Sequence, residues 1–433
     1  MTTGAPAMAL EREARAVGPA ASDTAASVWN RVAFGAFVLW LIGAQTFEAL
    51  ATAGLVLTIV CALVRWRRDL TGAGAARFVR AWWPLLAFIG WALFVPLLAG
   101  HPPEGAGVGR LSDWLALPAV VAVFPWMTQR QRAQLGGITA AVFALSCLAA
   151  FLQHRGWWPP EGTFDALAWT KTAFSRVYEP IVTSPGRFYG GGLAFHRLRF
   201  ADAGGIVIVA AFALAIRSSG RVRIAAVAAI GLGLAALLIA AQARAAFGAV
   251  AATLVLMVFL APVRARDAAL GLAALALVSG GVVAASPGVR RRFALSLDRD
   301  SNGERQWIWH IAARAVRESP LTGMGLGQYR ASKVLPVEPG TPPALLDHPG
   351  KGHNQFLSFA AEIGIPGALL FAWMLAWLFF TFHGAGRLLG RGVMTFFVLL
   401  SCFHDPLYHA NISMFFVLVF GIALALEQAP NGR

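Results

Sequence analysis

From Val32 to the C-terminus the chain is built of apolar runs of roughly 16–22 residues, separated by short polar clusters. Each run is about long enough to cross a hydrocarbon core ~30 Å thick. No water is available at that depth to satisfy backbone amides, so runs of this kind must be helical. The expected fold class is therefore an all-α polytopic membrane protein. Composition agrees: 58% of residues are hydrophobic, 13% are charged and the mean hydropathy is +0.63, far from an ordinary soluble domain. About 12 transmembrane helices are expected, starting near Val32, Leu50, Ala81, Leu111, Leu135, Ala201, Val222, Ala246, Ala268, Phe356, Gly392 and Asn411. The first two meet at a tight turn near Phe47 and Glu48.

Basic residues fall in short clusters on one side of the expected spans: RWRRD after Val64, QRQR at 129–132, RSSGRVR at 217–223, VRAR at 263–266 and GRLLGR at 386–391. The short loops on the other side hold only Arg110 and Arg244, and FHDPLYH has no Lys or Arg. This asymmetry puts both termini in the cytoplasm. Residues 1–27, without an apolar core, are expected as a disordered cytoplasmic tail, and the first span as an uncleaved anchor. Residues 28–286 then hold spans one to nine with a periplasmic loop at 155–199. Residues 287–352 form a large, partly helical periplasmic loop, and 353–433 hold the last three spans and a short tail. The two outer loops carry 16 of the 36 Lys and Arg against 9 Asp and Glu. The net charge of +15 is scattered rather than gathered into a patch, so no nucleic-acid partner is expected. An anionic partner on the outer side is. An external module of this size suits an enzyme with a bulky hydrophilic substrate better than a transporter.

In the second loop, SNGERQWIWHIAARAVRES puts Trp307, Ile308, Ile311, Ala312 and Ala315 on one helical face. Ser301 and Glu304 have capping-box spacing, Arg305 sits in the first turn, and Pro320 with the glycines of LTGMGLGQY ends the helix. Beyond it, GKGHNQFLSFAAEIGIPG sets His353 and Asn354 directly before a long apolar helix. A helix N-terminus disfavours imidazolium and keeps His353 neutral, as a general base must be. Asn354 either orients a substrate or caps the helix. Arg244, in AAQARAAFG, lies at a break between two spans, where a charge is either functional or snorkels to the interface. Arg197 and Arg199 in FHRLRFADAGG face the same outer side. Arginine stays charged and grips phosphate with two parallel hydrogen bonds, so such a cluster can hold a pyrophosphate without a metal ion.

Other patterns carry less. Asp298 and Asp300 form a D-x-D, a metal-chelating pattern in many nucleotide-sugar glycosyltransferases, but it is short, common and flanked by Arg. His404, Asp405 and His409 lack a standard ligand spacing and read as structural or substrate-lining. Cys61, Cys147 and Cys402 all lie in spans and make neither a disulfide framework nor a metal motif. Walker, G-x-S-x-G and H-E-x-x-H motifs are missing from the sequence.

Three segments, in order, resemble the O-antigen ligase and polymerase superfamily. GHNQFLSFAAEIGIPG is similar to its H-[NSQ]-x9-G signature, with His353, Asn354 and Gly364. SNGERQWIWHIAARAVRESPLTGMGLGQY resembles the segment just upstream, and AQARAAFG its Ser/Ala-Arg-Gly/Ala break. Where many relatives place Pro-Asn before the next span, this chain has FADAGG. The resemblance implies inverting, metal-independent glycosyl transfer at the outer face of the inner membrane, with no cofactor. The donor would be a polysaccharide on undecaprenyl pyrophosphate and the acceptor lipid A–core. His353 would take the proton of the acceptor hydroxyl, and Arg244 and Arg305 would bind the pyrophosphate. A polymerase or a protein glycosyltransferase of the same superfamily, and a lipid flippase from a different class, are the alternatives.

Overall fold

The structure, a computed structural model, describes residues 23–67, 73–158, 180–181, 184–194, 196–261, 265–294, 303–329 and 352–428. Residues 1–22 of the expected tail, Asp298, Asp300, Ser301, the Glu304 side chain and much of both outer loops lie outside them.

Fourteen α-helices are described. They are α1 (Asp23–Gln45), α2 (Glu48–Trp66), α3 (Ala73–Leu98), α4 (Gly105–Val123), α5 (Gln129–His154), α6 (Arg197–Arg217), α7 (Gly220–Ala235), α8 (Arg244–Leu260), α9 (Ala265–Ala285), α10 (Pro287–Ala294), α11 (Gly303–Glu318), α12 (Gln355–Thr381), α13 (Arg387–Ser401) and α14 (Ala410–Gln428). Each of the twelve expected spans falls on one of these helices. Among the described residues, nine helical stretches are long and apolar enough to cross a membrane. At 17 residues α8 is a shorter apolar helix, and α13 has 15. No strand occurs among the described residues; a single bridge pairs Pro180 with Phe188.

Hydrogen bonds fix the direction of the helices. Asn411 Nδ2, at the start of α14, donates to the Ala44 carbonyl at the end of α1. Arg217, at the end of α6, donates to the Ala385 carbonyl just before α13. Arg387, at the start of α13, donates to the Leu260 carbonyl at the end of α8. Glu427, at the end of α14, accepts from the backbone amides of His383, Gly384 and Gly386. Arg65, at the end of α2, donates to the Ala122 carbonyl near the end of α4. The Asn411–Ala44 bond lies at one end of the bundle, and the other four sets of contacts gather at the opposite end, together with the short basic clusters. The end away from the basic clusters therefore holds the starts of α2, α6, α8, α12 and α14 and the end of α13.

The centre is aromatic. Trp114 of α4 meets Phe371 of α12, Phe397 of α13 and Phe420 of α14, each at 6.1 Å between ring centroids. Phe371 in turn meets Phe88 of α3 at 5.1 Å. Offset and edge-on contacts of this kind add to the area that the rings bury. Of those nine stretches α14 is the most enclosed, with 78% of an 18-residue run buried. Large apolar side chains left outward, such as Phe94, Ile224, Phe259 and Phe380, suit a hydrocarbon solvent.

α12 is two helices joined at Gly364, whose backbone is left-handed (φ +76°, ψ 168°). The segment from Pro320 to Gly327 sits in that kink through main-chain bonds. Met324 N donates to the Ala361 carbonyl at 2.9 Å, Gly325 N to the Glu362 carbonyl at 2.9 Å, and Ile365 N to the Pro320 carbonyl at 2.8 Å. Room is the other requirement, because a Cβ on Gly364 would lie 2.3 Å from the Leu321 carbonyl oxygen. α11 packs above the kink. Ile308, Ala312 and Ala315 are buried, and Ala312 and Ala315 share a small core with Tyr329 and Ala361. The expected apolar face of that helix is the one it buries, with Trp307 partly buried.

Gly364→Ala should therefore both strain the backbone and push the 320–327 segment out of its seat, costing about 2 kcal/mol or more. Thermal unfolding in detergent should show a lower midpoint, and limited proteolysis should show faster cleavage near Leu321. A variant as stable and as resistant as the parent would contradict this account of the kink.

Candidate active site

His353 stands two residues before α12, next to its Asn354 cap, with a left-handed backbone (φ +47°). Such a conformation is uncommon for a residue with a Cβ and persists only where its surroundings fix it. Both flanks are pinned here. On one side Gly352 N donates to Ser358 Oγ at 3.2 Å, and that hydroxyl donates to Asp405 Oδ1 at 2.8 Å. On the other, Asn354 Oδ1 accepts from Leu357 N at 3.0 Å as the helix cap, while its Nδ2 donates to the Cys402 carbonyl at 3.1 Å. Both halves of the Asn354 amide are thus used in capping α12 and tying it to the end of α13.

The turn between α13 and α14 supplies the next layer. Three imidazoles stand in file: His353 lies 6.2 Å from His404, with ring planes 29° apart, and His404 lies 5.9 Å from His409. His404 is 5% exposed, and its Nδ1 is at ion-pair distance, 3.2 Å, from Asp202 Oδ2 of α6. Burial alone pulls this imidazole down. The carboxylates of Asp202 and Asp405 outweigh burial, with Arg305 opposing them, so the pKa of His404 is raised. His409 Nδ1 accepts from Arg199 Nε at 3.2 Å.

Arg305 opens α11 half-buried, within electrostatic reach of both Asp405 and His404. Burial lowers its pKa and Asp405 opposes the change, but a guanidinium remains a cation. Arg197 lies over the ring of Tyr189 at 3.8 Å. The next residue along, Gly190, donates its amide to the Ala240 carbonyl at 2.9 Å. Ala240 lies within a wider π-turn, Ala236–Ala241, after which Gln242 adopts a left-handed backbone (φ +48°) and α8 begins at Arg244. By helix direction Arg244 is at the same end of the bundle as His353. The structure thus brings His353, Arg305 and Arg199 to the histidine file, and Arg197 to the break that precedes Arg244.

Below the file lies an ion pair of two buried groups. Arg110 NH1 and NH2 donate to the two oxygens of Glu362 at 3.2 Å each, and Arg110 is 6% exposed while Glu362 is fully buried. The Tyr408 hydroxyl donates to Glu362, and the Arg110 guanidinium lies 3.9 Å from the centre of the Tyr408 ring. Arg110, which the sequence suggested for a short outer loop, is inside α4. A cation one turn into a helix facing other helices must find a carboxylate or an aromatic face, and it finds both.

Sequence reasoning missed Asp202, Glu362, Arg110, Tyr408 and Gln242 as members of this assembly. Four of the five are polar residues inside apolar runs, which is itself a signal; their pairing needs the fold. Among the described residues, no three His, Cys, Asp or Glu side chains converge as metal ligands do.

Removing one partner of the buried pair leaves the other charge stranded, which costs about 3–5 kcal/mol. Arg110→Met should therefore destabilise the protein strongly, while Arg110→Met combined with Glu362→Met should regain most of the loss. Thermal unfolding of the detergent-solubilised variants checks this. A single variant no less stable than the double would remove the pair as the clamp of this region.

Comparison with known proteins bears on the same segments. One curated protein, Ribonuclease VapC37 of Mycobacterium tuberculosis (strain ATCC 25618 / H37Rv), is 44% identical over 64 residues. That stretch is 14% of this chain and 42% of the relative, too little of either to carry a fold or an activity across. Residues 227–372, about a third of the chain, match the family model described as O-Antigen ligase. The match takes in Arg244, Arg305, His353, Asn354, Glu362 and Gly364; it excludes Arg197, Arg199, Asp202 and the turn at 402–409. The segment that carries the break, helix α11 and the kinked span is thus similar to the O-antigen ligase family.

Proposed function

We propose that this protein is an O-antigen ligase. It transfers polysaccharide from undecaprenyl pyrophosphate to a sugar hydroxyl of lipid A–core, with inversion and without a metal ion, on the periplasmic face of the inner membrane. One observation carries the reading: a histidine at a helix N-terminus, fixed in a strained backbone, shares one end of the bundle with four arginines.

In the proposed reaction His353 accepts the proton of the acceptor hydroxyl. The hydroxyl oxygen forms a bond to the anomeric carbon as the bond from that carbon to the pyrophosphate oxygen breaks on the opposite face. Undecaprenyl pyrophosphate leaves with the bonding electrons. Arg244 and Arg305 bind it and stabilise the charge that grows on it; Arg197 and Arg199 extend the basic lining. Asn354 acts on the acceptor through the position it gives His353. The basic clusters at the far end of the bundle support a cytoplasmic assignment for that end, which leaves the site outside, where the lipid-linked donor is presented.

The deciding assay is purified protein with lipid-linked polysaccharide and lipid A–core in excess chelator. Product should form. His353→Ala should lower the rate by about 10²–10⁴-fold, the usual contribution of a general base, and Arg305→Ala should lose activity while still folding. Normal turnover by His353→Ala would remove the base, and complete loss on chelation would return Asp298 and Asp300 to the mechanism. In a deletion strain, long polymer should remain on the lipid carrier. Single repeats on core would indicate a polymerase instead, and intact lipopolysaccharide with an unglycosylated protein would indicate a protein glycosyltransferase.

A further inference from the structure

The histidine file is more than a lining. Two of its members, His404 and His409, are held by different partners. His409 accepts at Nδ1 from Arg199, so its ring carries its proton on Nε2 and is neutral. His404 is buried against the carboxylate of Asp202 at 3.2 Å, the arrangement that favours imidazolium. His353 stacks on the other face of the file, 6.2 Å from His404. The charged and titratable groups facing His404 are Asp202 from α6, Asp405 and His409 from its own turn, Arg305 from α11 and His353 from the start of α12.

We propose that the Asp202–His404 pair is a positioning device for the reaction: His404, held cationic by Asp202, keeps the stacked His353 in its neutral, proton-accepting form. A second proton on His353 would face a like charge across the stack, and the α12 N-terminus opposes it from below. The raised pKa of His404 is consistent with this order of protonation. His404 touches no reacting atom in this scheme; it acts through His353. The inference rests on His353 being the base of the proposed transfer.

The sign follows directly. Without the cation, His353 takes up a proton at higher pH, so the acidic limb of the pH–rate profile moves upward. The expected move is about one pH unit, for a single charge ~6 Å away at an interior dielectric of ~20, partly offset by the two carboxylates. Asp202→Asn acts in the same direction, because a buried His404 without its counter-ion loses its proton.

The experiment is the pH profile of turnover by the purified full-length protein with saturating lipid-linked polysaccharide and lipid A–core. It compares the parent, His404→Gln, Asp202→Asn and the double variant Asp202→Asn/His404→Gln. The double variant replaces the ion pair by two neutral amides and leaves no buried charge stranded, so it serves if a single change does not fold. An acidic limb moved up in the double variant, with the loss of rate largest at low pH and shrinking as pH rises, supports the proposal. A limb that stays in place while the rate falls evenly marks a merely structural pair and overturns it. Failure of the underlying reading looks different: His353→Ala would then turn over like the parent, and the proposal would fall with it.

Discussion

A carboxylate with no exposed surface holds together the end of the bundle that carries His353. Glu362 receives both guanidinium nitrogens of Arg110 and the hydroxyl of Tyr408, while its own carbonyl accepts from Gly325. One residue thereby joins α4, α12, the turn after α13 and the 320–327 segment. Buried charge is costly, and this charge is tolerable because each oxygen has a partner. The position of His353 depends on that clamp at one remove. The turn that Tyr408 anchors also carries His404 and Asp405, which meet His353 and Ser358.

Chemically, the two ends of the bundle differ in how their cations are used. At the end that carries the short basic clusters, arginines such as Arg65, Arg217 and Arg387 close helix ends by donating to carbonyls. At the other end Arg199 and Arg305 are set among histidines and carboxylates. The first use is structural and common at membrane interfaces. The second would suit the phosphate-bearing donor proposed above, since a guanidinium held by its surroundings needs little reorganisation when negative charge develops.

The helices were legible in the sequence because length and hydropathy alone specify a span. All twelve expected starts fall on helices, and the face of α11 was readable from a period of 3.6 residues. His353, Asn354 and Arg305 were legible as well, since a histidine at a helix start and an arginine in a first turn are local features. The pairings were not. Nothing in an apolar run says that Arg110 meets Glu362 across a separation of 252 residues, or that Asp202 meets His404. Asn354 kept two readings in the sequence. The structure shows its cap, because the choice depended on Cys402 being close by. Gly364 was visible as a signature letter, but its left-handed backbone and the chain seated on it are tertiary facts.

The seat at Gly364 is written almost wholly in main-chain atoms: amides of 324, 325 and 365 against carbonyls of 361, 362 and 320. Recognition of that kind reads backbone shape and is indifferent to most side chains. The 320–327 segment can therefore change its other side chains without losing its seat, provided the glycines keep their places. Freedom of side chain and constancy of backbone are in this way assigned to different atoms of the same short loop.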